Sequence, residues 1–182
     1  KKDSLHSGYK RLKDDIKAVR ERDPAAKTDA EVLTLYSGLH ATVAYRAAHA
    51  LHQNGHEYAS RFISQTTKMF TGVEIHPGAT IGKGLFIDHG TGVVIGETAV
   101  IGDNCLIGMG ATLLDNARIP SGCIIAANAL VLSNAQLEPN SVYAGVPAKK
   151  VKEVTEEQRE EIIRRTAHDY MLYASWYGEP EE

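Results

Sequence analysis

From Ile75 onward the apolar residues keep a beat of six: Ile75, Ile81 and Ile87, then after a two-residue slip Ile95, Ile101, Ile107, Leu113, Ile119, Ile125, Val131, Leu137 and Tyr143. Two positions before most of them stands a small side chain: Ala79, Ala99, Cys105, Ala111, Ala117, Cys123, Ala129, Ala135 or Ser141. Gly82, Gly96, Gly102 and Gly108 directly follow the apolar residue. Six matches neither the 3.6-residue period of a helix nor the alternation of a strand, and a fixed self-similar period points to a solenoid. The pattern predicts a three-sided coil, one hexad per face, with the aliphatic residue pointing inward and the small one at the tightening corner. Glycine and asparagine supply the backbone freedom that corners need. The hexads make about four coils, which at roughly 4.8 Å per rung stack into a prism roughly 20 Å tall.

Upstream the period is that of helices. Leu5, Tyr9, Leu12, Ile16 and Val19 form one stripe. Thr28 and Glu31 have capping-box spacing and open a second helix. Gly38 precedes a third stretch carrying Leu39, Val43, Ala47, Ala50 and Leu51, and Asn54-Gly55 breaks it. A last helical piece with Tyr58, Phe62, Ile63 and Phe70 leads to Gly72. After Tyr143 the repeat stops at "AGVPAKKV", where Pro147 ends the strand pattern. Thr155 and Gln158 then open an amphipathic helix running through Ile162, Ile163, Ala167, Tyr170, Met171 and Ala174 towards Trp176. The expected organisation is an α-helical domain over 1–71, a β-helix over 72–151, and a C-terminal helix and tail over 152–182.

Charge and cysteine usage narrow the partners. A formal net charge of −3 over 182 residues leaves no electrostatic footprint for nucleic acid. Lys149, Lys150 and Lys152 cluster locally, enough for one phosphate-bearing ligand at most. There is no apolar leader and no run of about 18 apolar residues, so no membrane partner is expected. Together with only two cysteines this predicts a reducing, cytoplasmic setting. Cys105 and Cys123 both fall on the small-residue beat and read as buried small hydrophobes.

The hexad pattern resembles that of the hexapeptide-repeat proteins, which implies a left-handed parallel β-helix and trimeric assembly. That likeness speaks for the fold more than for the chemistry. Three further stretches are more specific: "ERDPAA" (21–26), "SGLHATVAYRAAHAL" (37–51) and "VEIHPGATIGKGLFIDHGTGVVIGETAVIGDN" (73–104). Over residues 10–104 the chain resembles the serine O-acetyltransferases, which move acetyl from acetyl-CoA to the hydroxyl of L-serine on the way to cysteine. In that family "IGDN" leads into a glycine-rich turn and a protruding loop whose Arg-His pair helps bind serine. Here residues 105–177 run without such a loop and are more similar to the C-terminal part of γ-class carbonic anhydrase-like proteins, so the chain reads as a composite of two branches of one superfamily.

Acetyl transfer to an alcohol needs a base, because a hydroxyl is a poor nucleophile until its proton is taken. The resemblance implies that His89 is that base and that Glu74 is the carboxylate orienting it. Their spacing is close to one coil, so the two side chains are expected to meet on adjacent rungs. The resemblance also places Asp23 and Asp88 on the serine substrate, a carboxylate being suited to an ammonium group. It places Ala144, Gly145, Lys149 and Lys150 on acetyl-CoA, in a groove between subunits of a homotrimer, with a hexamer through the helical domain as a further possibility. No metal is expected: carbonic anhydrase chemistry needs three histidines on zinc, and only His76 and His89 lie in the replaced coils. His76, beside Pro77 at a corner, reads as structural. His40, His49, His52, His56 and His168 lie on helical stretches and read as surface or core partners. The competing reading is a non-catalytic trimeric scaffold, in which the missing Arg-His loop leaves serine unanchored.

Overall fold

The computed structural model describes residues 2–154 of the chain, with side chains described from Tyr9 onward. The C-terminal helix expected from Thr155 to Trp176 lies outside the described residues. Four helices come first: α1 (Lys2–Arg22), α2 (Asp29–Leu35), α3 (Ser37–Gln53) and α4 (Glu57–Thr71). Twelve strands follow: β1 (Glu74–Ile75), β2 (Thr80–Ile81), β3 (Phe86–Ile87), β4 (Val94–Ile95), β5 (Val100–Ile101), β6 (Leu106–Ile107), β7 (Thr112–Leu113), β8 (Arg118–Ile119), β9 (Ile124–Ile125), β10 (Leu130–Val131), β11 (Ser141–Ala144) and β12 (Lys149–Glu153).

The strands wind as a parallel β-solenoid with three faces. One face is β1-β4-β7-β10, the second β2-β5-β8, and the third β3-β6-β9-β11 closed by β12, which runs antiparallel to β11. Register shows where the sequence slip goes. Val94 pairs with Thr112 and Thr112 with Leu130, steps of 18 residues, whereas Glu74 pairs with Val94, a step of 20. The other two faces repeat this, with Thr80 opposite Val100 and Phe86 opposite Leu106. The two extra residues therefore sit in the corner between β3 and β4, which contains Asp88 and His89.

The inward column is as the beat predicts. Ile95, Ile101, Ile107, Leu113, Ile119 and Ile125 are all at most 1% exposed, and Ala79, Ala99, Cys105, Ala111, Ala117 and Cys123 fill the corners at 0%. Each buried aliphatic contributes about 1.5–3 kcal/mol relative to leaving it in water. The corners turn through left-handed residues; Gly84, Asn104, Gly122 and Asn140 form one such column. Both cysteines are buried thiols outside any disulfide, and burial lifts the Cys105 thiol to about 11.

The helices are built from local signals. Thr28 Oγ1 accepts from the Glu31 amide and the Glu31 carboxylate accepts from the Thr28 amide, completing the capping box. Gly72, left-handed at φ 71°, closes α4. Of the α1 stripe, Ile16 and Val19 are buried and Leu12 packs beside them, but Tyr9 is 59% exposed. The helices dock on the first coil through a second cluster of Ile16, Val19, Ala26, Val32, Leu39 and Phe86. Polar ties reinforce it. Asp15, fully buried, accepts three hydrogen bonds from Arg46 and one from the Gly84 amide, and Tyr45 donates to the Ala79 carbonyl. Burial pushes the Asp15 carboxyl up while Arg46 pulls it back, the pattern of a buried pair whose removal in half would be costly. Among the described residues no helix is long and apolar enough to cross a membrane.

Candidate active site

The corner after β3 is where the backbone departs from its rhythm. Asp88 still hydrogen-bonds the Ile107 carbonyl of the next rung. His89 then turns left-handed at φ 53°, followed by Gly90 at φ 83° and Gly92 at φ 76°. A histidine in this region costs about 1–2 kcal/mol relative to ordinary backbone. The other left-handed non-glycine residues are asparagines, which tolerate the conformation, so His89 stands apart. The strain lifts its ring out of the coil: the side chain is 59% exposed. Gly90 is required behind it, since a Cβ there would lie 2.7 Å from the Val73 side chain.

Two further elements converge on this corner. The N-terminus of α3 lies against it so closely that a Cβ on Gly38 would sit 2.3 Å from the Ile87 carbonyl oxygen. The turn after α1 brings Asp23, whose own amide bonds the Val19 carbonyl. Asp23 Oδ1 accepts from the Ala25 amide at 2.8 Å, and Oδ2 accepts from the Tyr36 hydroxyl at 2.6 Å. Arg22, beside Asp23, donates to the Cys105 carbonyl at 3.2 Å and so ties the end of α1 to the second coil.

The charges follow from this crowding. The Asp88 carboxyl is held above the usual carboxylate range, first by desolvation and further by Asp23, against the pull of His89. His89 Nε2 stands 3.8 Å from Asp88 Oδ1, an ion pair whenever the imidazole is protonated. Burial, and then the hydrogen bond to Asp23, push the Tyr36 phenol up, with Asp88 adding to it. Asp88 thus stands between the imidazole of His89 and the Asp23 carboxylate. Such a site suits an ammonium group and a proton to be moved.

Three of the residues expected from sequence, Asp23, Asp88 and His89, are therefore brought together. Glu74 is not. It accepts from Lys68 and, at 3.3 Å, from Gln65, both on α4, and no hydrogen bond or ion pair joins it to His89. Val73 and Ile75 point into the core, so Glu74 faces outward, and there α4 takes it: the Lys68 hydrogen bond holds its carboxyl below the usual range. Asp88 is the carboxylate that stands by the imidazole. Tyr36 is the site residue that sequence reasoning missed; it lies one position before the quoted "SGLHATVAY" stretch, and no spacing rule flags it.

The residues expected on acetyl-CoA sit at the far end of the same corner. Ala144 ends β11, and Gly145, at φ 96°, accepts from the Leu130 amide. β3, β6, β9 and β11 are successive rungs, so His89 and Gly145 are separated by three rungs, about 14 Å. Lys150 is engaged by Glu138 at 2.6 Å and Glu153 at 3.0 Å, which raise it to about 12. Lys149 has no such partner among the described residues, which leaves it the freer of the two for a phosphate. Among the described residues no group of three or more potential metal ligands converges.

Comparison with known proteins agrees with this architecture. The bacterial transferase hexapeptide family (six repeats) matches residues 98–133. A serine acetyltransferase of Staphylococcus epidermidis is 60% identical over 104 residues, 57% of this chain and 49% of that protein. The chain thus spans about half the length of the curated relatives it matches. The structure of the Neisseria gonorrhoeae serine acetyltransferase superposes with a TM-score of 0.72 at 33% identity, covering 83% of this chain and 68% of that one. That of Brucella abortus in complex with coenzyme A gives 0.71 at 31% identity, covering 84% and 71%. With the solenoid, the displaced corner and these matches in agreement, the chain belongs to the serine acetyltransferase family.

Proposed function

We propose that the protein transfers acetyl from acetyl-CoA to the hydroxyl of L-serine at the corner between β3 and β4. The observation that carries this reading is the left-handed His89, raised out of the coil beside Asp88, whose carboxyl in turn feels Asp23. His89 takes the hydroxyl proton as the serine oxygen attacks the thioester carbon. The carbon–sulfur bond then breaks, and the proton passes from the imidazolium to the departing thiolate. Asp88 stabilises the imidazolium, and Asp23 with Asp88 receives the ammonium group. General-base help of this kind is worth about 10²- to 10⁴-fold in rate.

Acetyl-CoA is assigned to the column of corners running from the β11–β12 hairpin to His89, with Gly145 and Lys149 towards its phosphate end. An extended pantetheine arm can cover three rungs. The relative solved with coenzyme A supports this choice of co-substrate. Assembly as a homotrimer, with a hexamer as the higher state, is supported by the bare apolar stripe of Tyr58, Phe62 and Met69 on α4, each at least 63% exposed; light scattering reads it directly.

One observation favours a weaker enzyme. From Leu106 on, the coils advance in even 18-residue steps, Leu106 to Ile124 to Val142, with no excursion for an Arg-His loop. Loss of a bidentate guanidinium–carboxylate contact removes about 1.5–3 kcal/mol and raises the serine KM by about ten- to a hundredfold. The test is thiol release from acetyl-CoA with and without L-serine, in the wild type and in His89→Ala. Serine-stimulated release that vanishes in the variant supports the enzyme, and equal background in both supports a scaffold.

A further inference from the structure

We propose that Tyr36 is a positioning residue for the acceptor's ammonium group, acting by locking the Asp23 carboxylate in its receiving orientation. The proposal rests on the acetyl-transfer reading of the same corner. Asp23 is held at both oxygens, by the Ala25 amide on Oδ1 and the Tyr36 hydroxyl on Oδ2. The amide belongs to the local turn and would be present in any Asp-Pro-Ala turn of this shape. The phenol comes from 13 residues away, on the element that also abuts Asp88.

Three features make Tyr36 suited to this and not to a local role. It occupies the N-cap position of α3 with extended backbone, yet its side chain caps no helix amide. Its ring packs against the cluster of Ile16, Val19, Leu39 and Phe86, so the hydroxyl is delivered from a fixed base. Two residues on, Gly38 touches the Ile87 carbonyl, which sets Tyr36 at a fixed offset from the Asp88 corner. Desolvation and the neighbouring carboxylates keep the phenol protonated, so it remains a donor to Asp23. Asp88 has a backbone hydrogen bond from His89, and the imidazole of His89 stands 3.8 Å from it. The site therefore pairs one preset carboxylate with one that answers to the proton on His89.

The test is a double-mutant cycle with Tyr36→Phe and Asp23→Asn. Tyr36→Phe is expected to raise the serine KM about tenfold, to leave kcat within about twofold, and to leave the acetyl-CoA KM unchanged. In the Asp23→Asn background the same change should add less than about twofold. Independent, additive losses, or equal falls in kcat and kcat/KM with a lowered melting temperature, would make Tyr36 a mere brace between α1 and α3. Should Tyr36→Phe not fold, Tyr36→His replaces the phenol differently: a raised serine KM at unchanged acetyl-CoA KM and melting temperature supports the proposal, and a loss of melting temperature without a serine KM change overturns it. If the wild type releases no thiol with L-serine, the acetyl-transfer reading falls, and calorimetric titration with L-serine and ethanolamine decides Tyr36 separately. Binding about tenfold weaker in Tyr36→Phe supports it; equal binding, or none in either protein, overturns it.

Discussion

Gly38→Ala adds one methyl group at the seam between the helices and the solenoid, against the β3 corner but on no group that binds or moves a proton. That methyl would lie 2.3 Å from the Ile87 carbonyl oxygen and 2.9 Å from its Cβ. Restoring an ordinary carbon–oxygen approach of about 3.3 Å requires the start of α3 to retreat by about 1 Å. Overpacking of this kind costs about 1–3 kcal/mol, against about 1 kcal/mol returned by alanine over glycine in a helix. The net loss of stability is therefore small, and the protein stays folded. The displacement, however, falls on Tyr36 and through it on Asp23, while Asp88 and His89 stay with the solenoid. A 1 Å misplacement of a positioning group costs up to about 10²-fold in rate. Serine-dependent thiol release should accordingly fall about ten- to a hundredfold in kcat/KM, with circular dichroism unchanged and a melting temperature within a few degrees of wild type. Full activity in this variant would refute the idea that α3 and the β3 corner form one site.

Other outcomes follow from the same geometry. Asp88 has a raised folded-state pKa, so its ionisation opposes folding at neutral pH and the penalty disappears once both states are protonated. Asp88→Asn should thus raise the melting temperature at pH 7 and lose that gain as the pH falls below the usual carboxylate range, while serine turnover drops; a lower melting temperature at pH 7 would contradict the desolvation argument. Glu74 has the opposite sign. Its pairing with Lys68 contributes stability above the carboxylate range that is lost as the pH falls through its lowered pKa. Glu74→Gln should lower the melting temperature slightly at pH 7 and leave kcat within about threefold, because it lacks the general-base coupling to His89 worth about 10²-fold or more; a fall of that larger size at unchanged KM would return Glu74 to the imidazole. The buried thiols of Cys105 and Cys123 should resist a disulfide reagent at pH 8 until denaturant is added, and rapid labelling of the native protein would show the corner columns to be open.

The solenoid was legible because its cause is periodic: one inward residue per face repeats the same local demand at every hexad, so Ile75 through Tyr143 could be assigned by counting. The corner site was legible for a related reason, since the slip between Ile87 and Ile95 marks the two extra residues that lift His89 from the coil. The capping box at Thr28 and the breaks at Asn54 and Gly72 were equally local. What counting could not reach were contacts set by docking. Tyr36 meets Asp23 only because Gly38 seats α3 on β3, and Lys68 takes Glu74 only because α4 lies over the first face. The one-coil spacing brought Glu74 to the right rung, but its carboxylate is engaged there by Lys68 and Gln65 of α4, a contact no spacing rule shows. Tyr9, on the α1 stripe, stays exposed, and among the described residues the docking cluster takes from that helix Leu12, Ile16 and Val19.

A crystal structure of the protein with coenzyme A and L-serine should show the serine ammonium between the Asp23 and Asp88 carboxylates and its hydroxyl within hydrogen-bond distance of His89 Nε2. Serine bound away from this corner, or an imidazole turned from the hydroxyl towards another face of the solenoid, would contradict the acetyl-transfer reading.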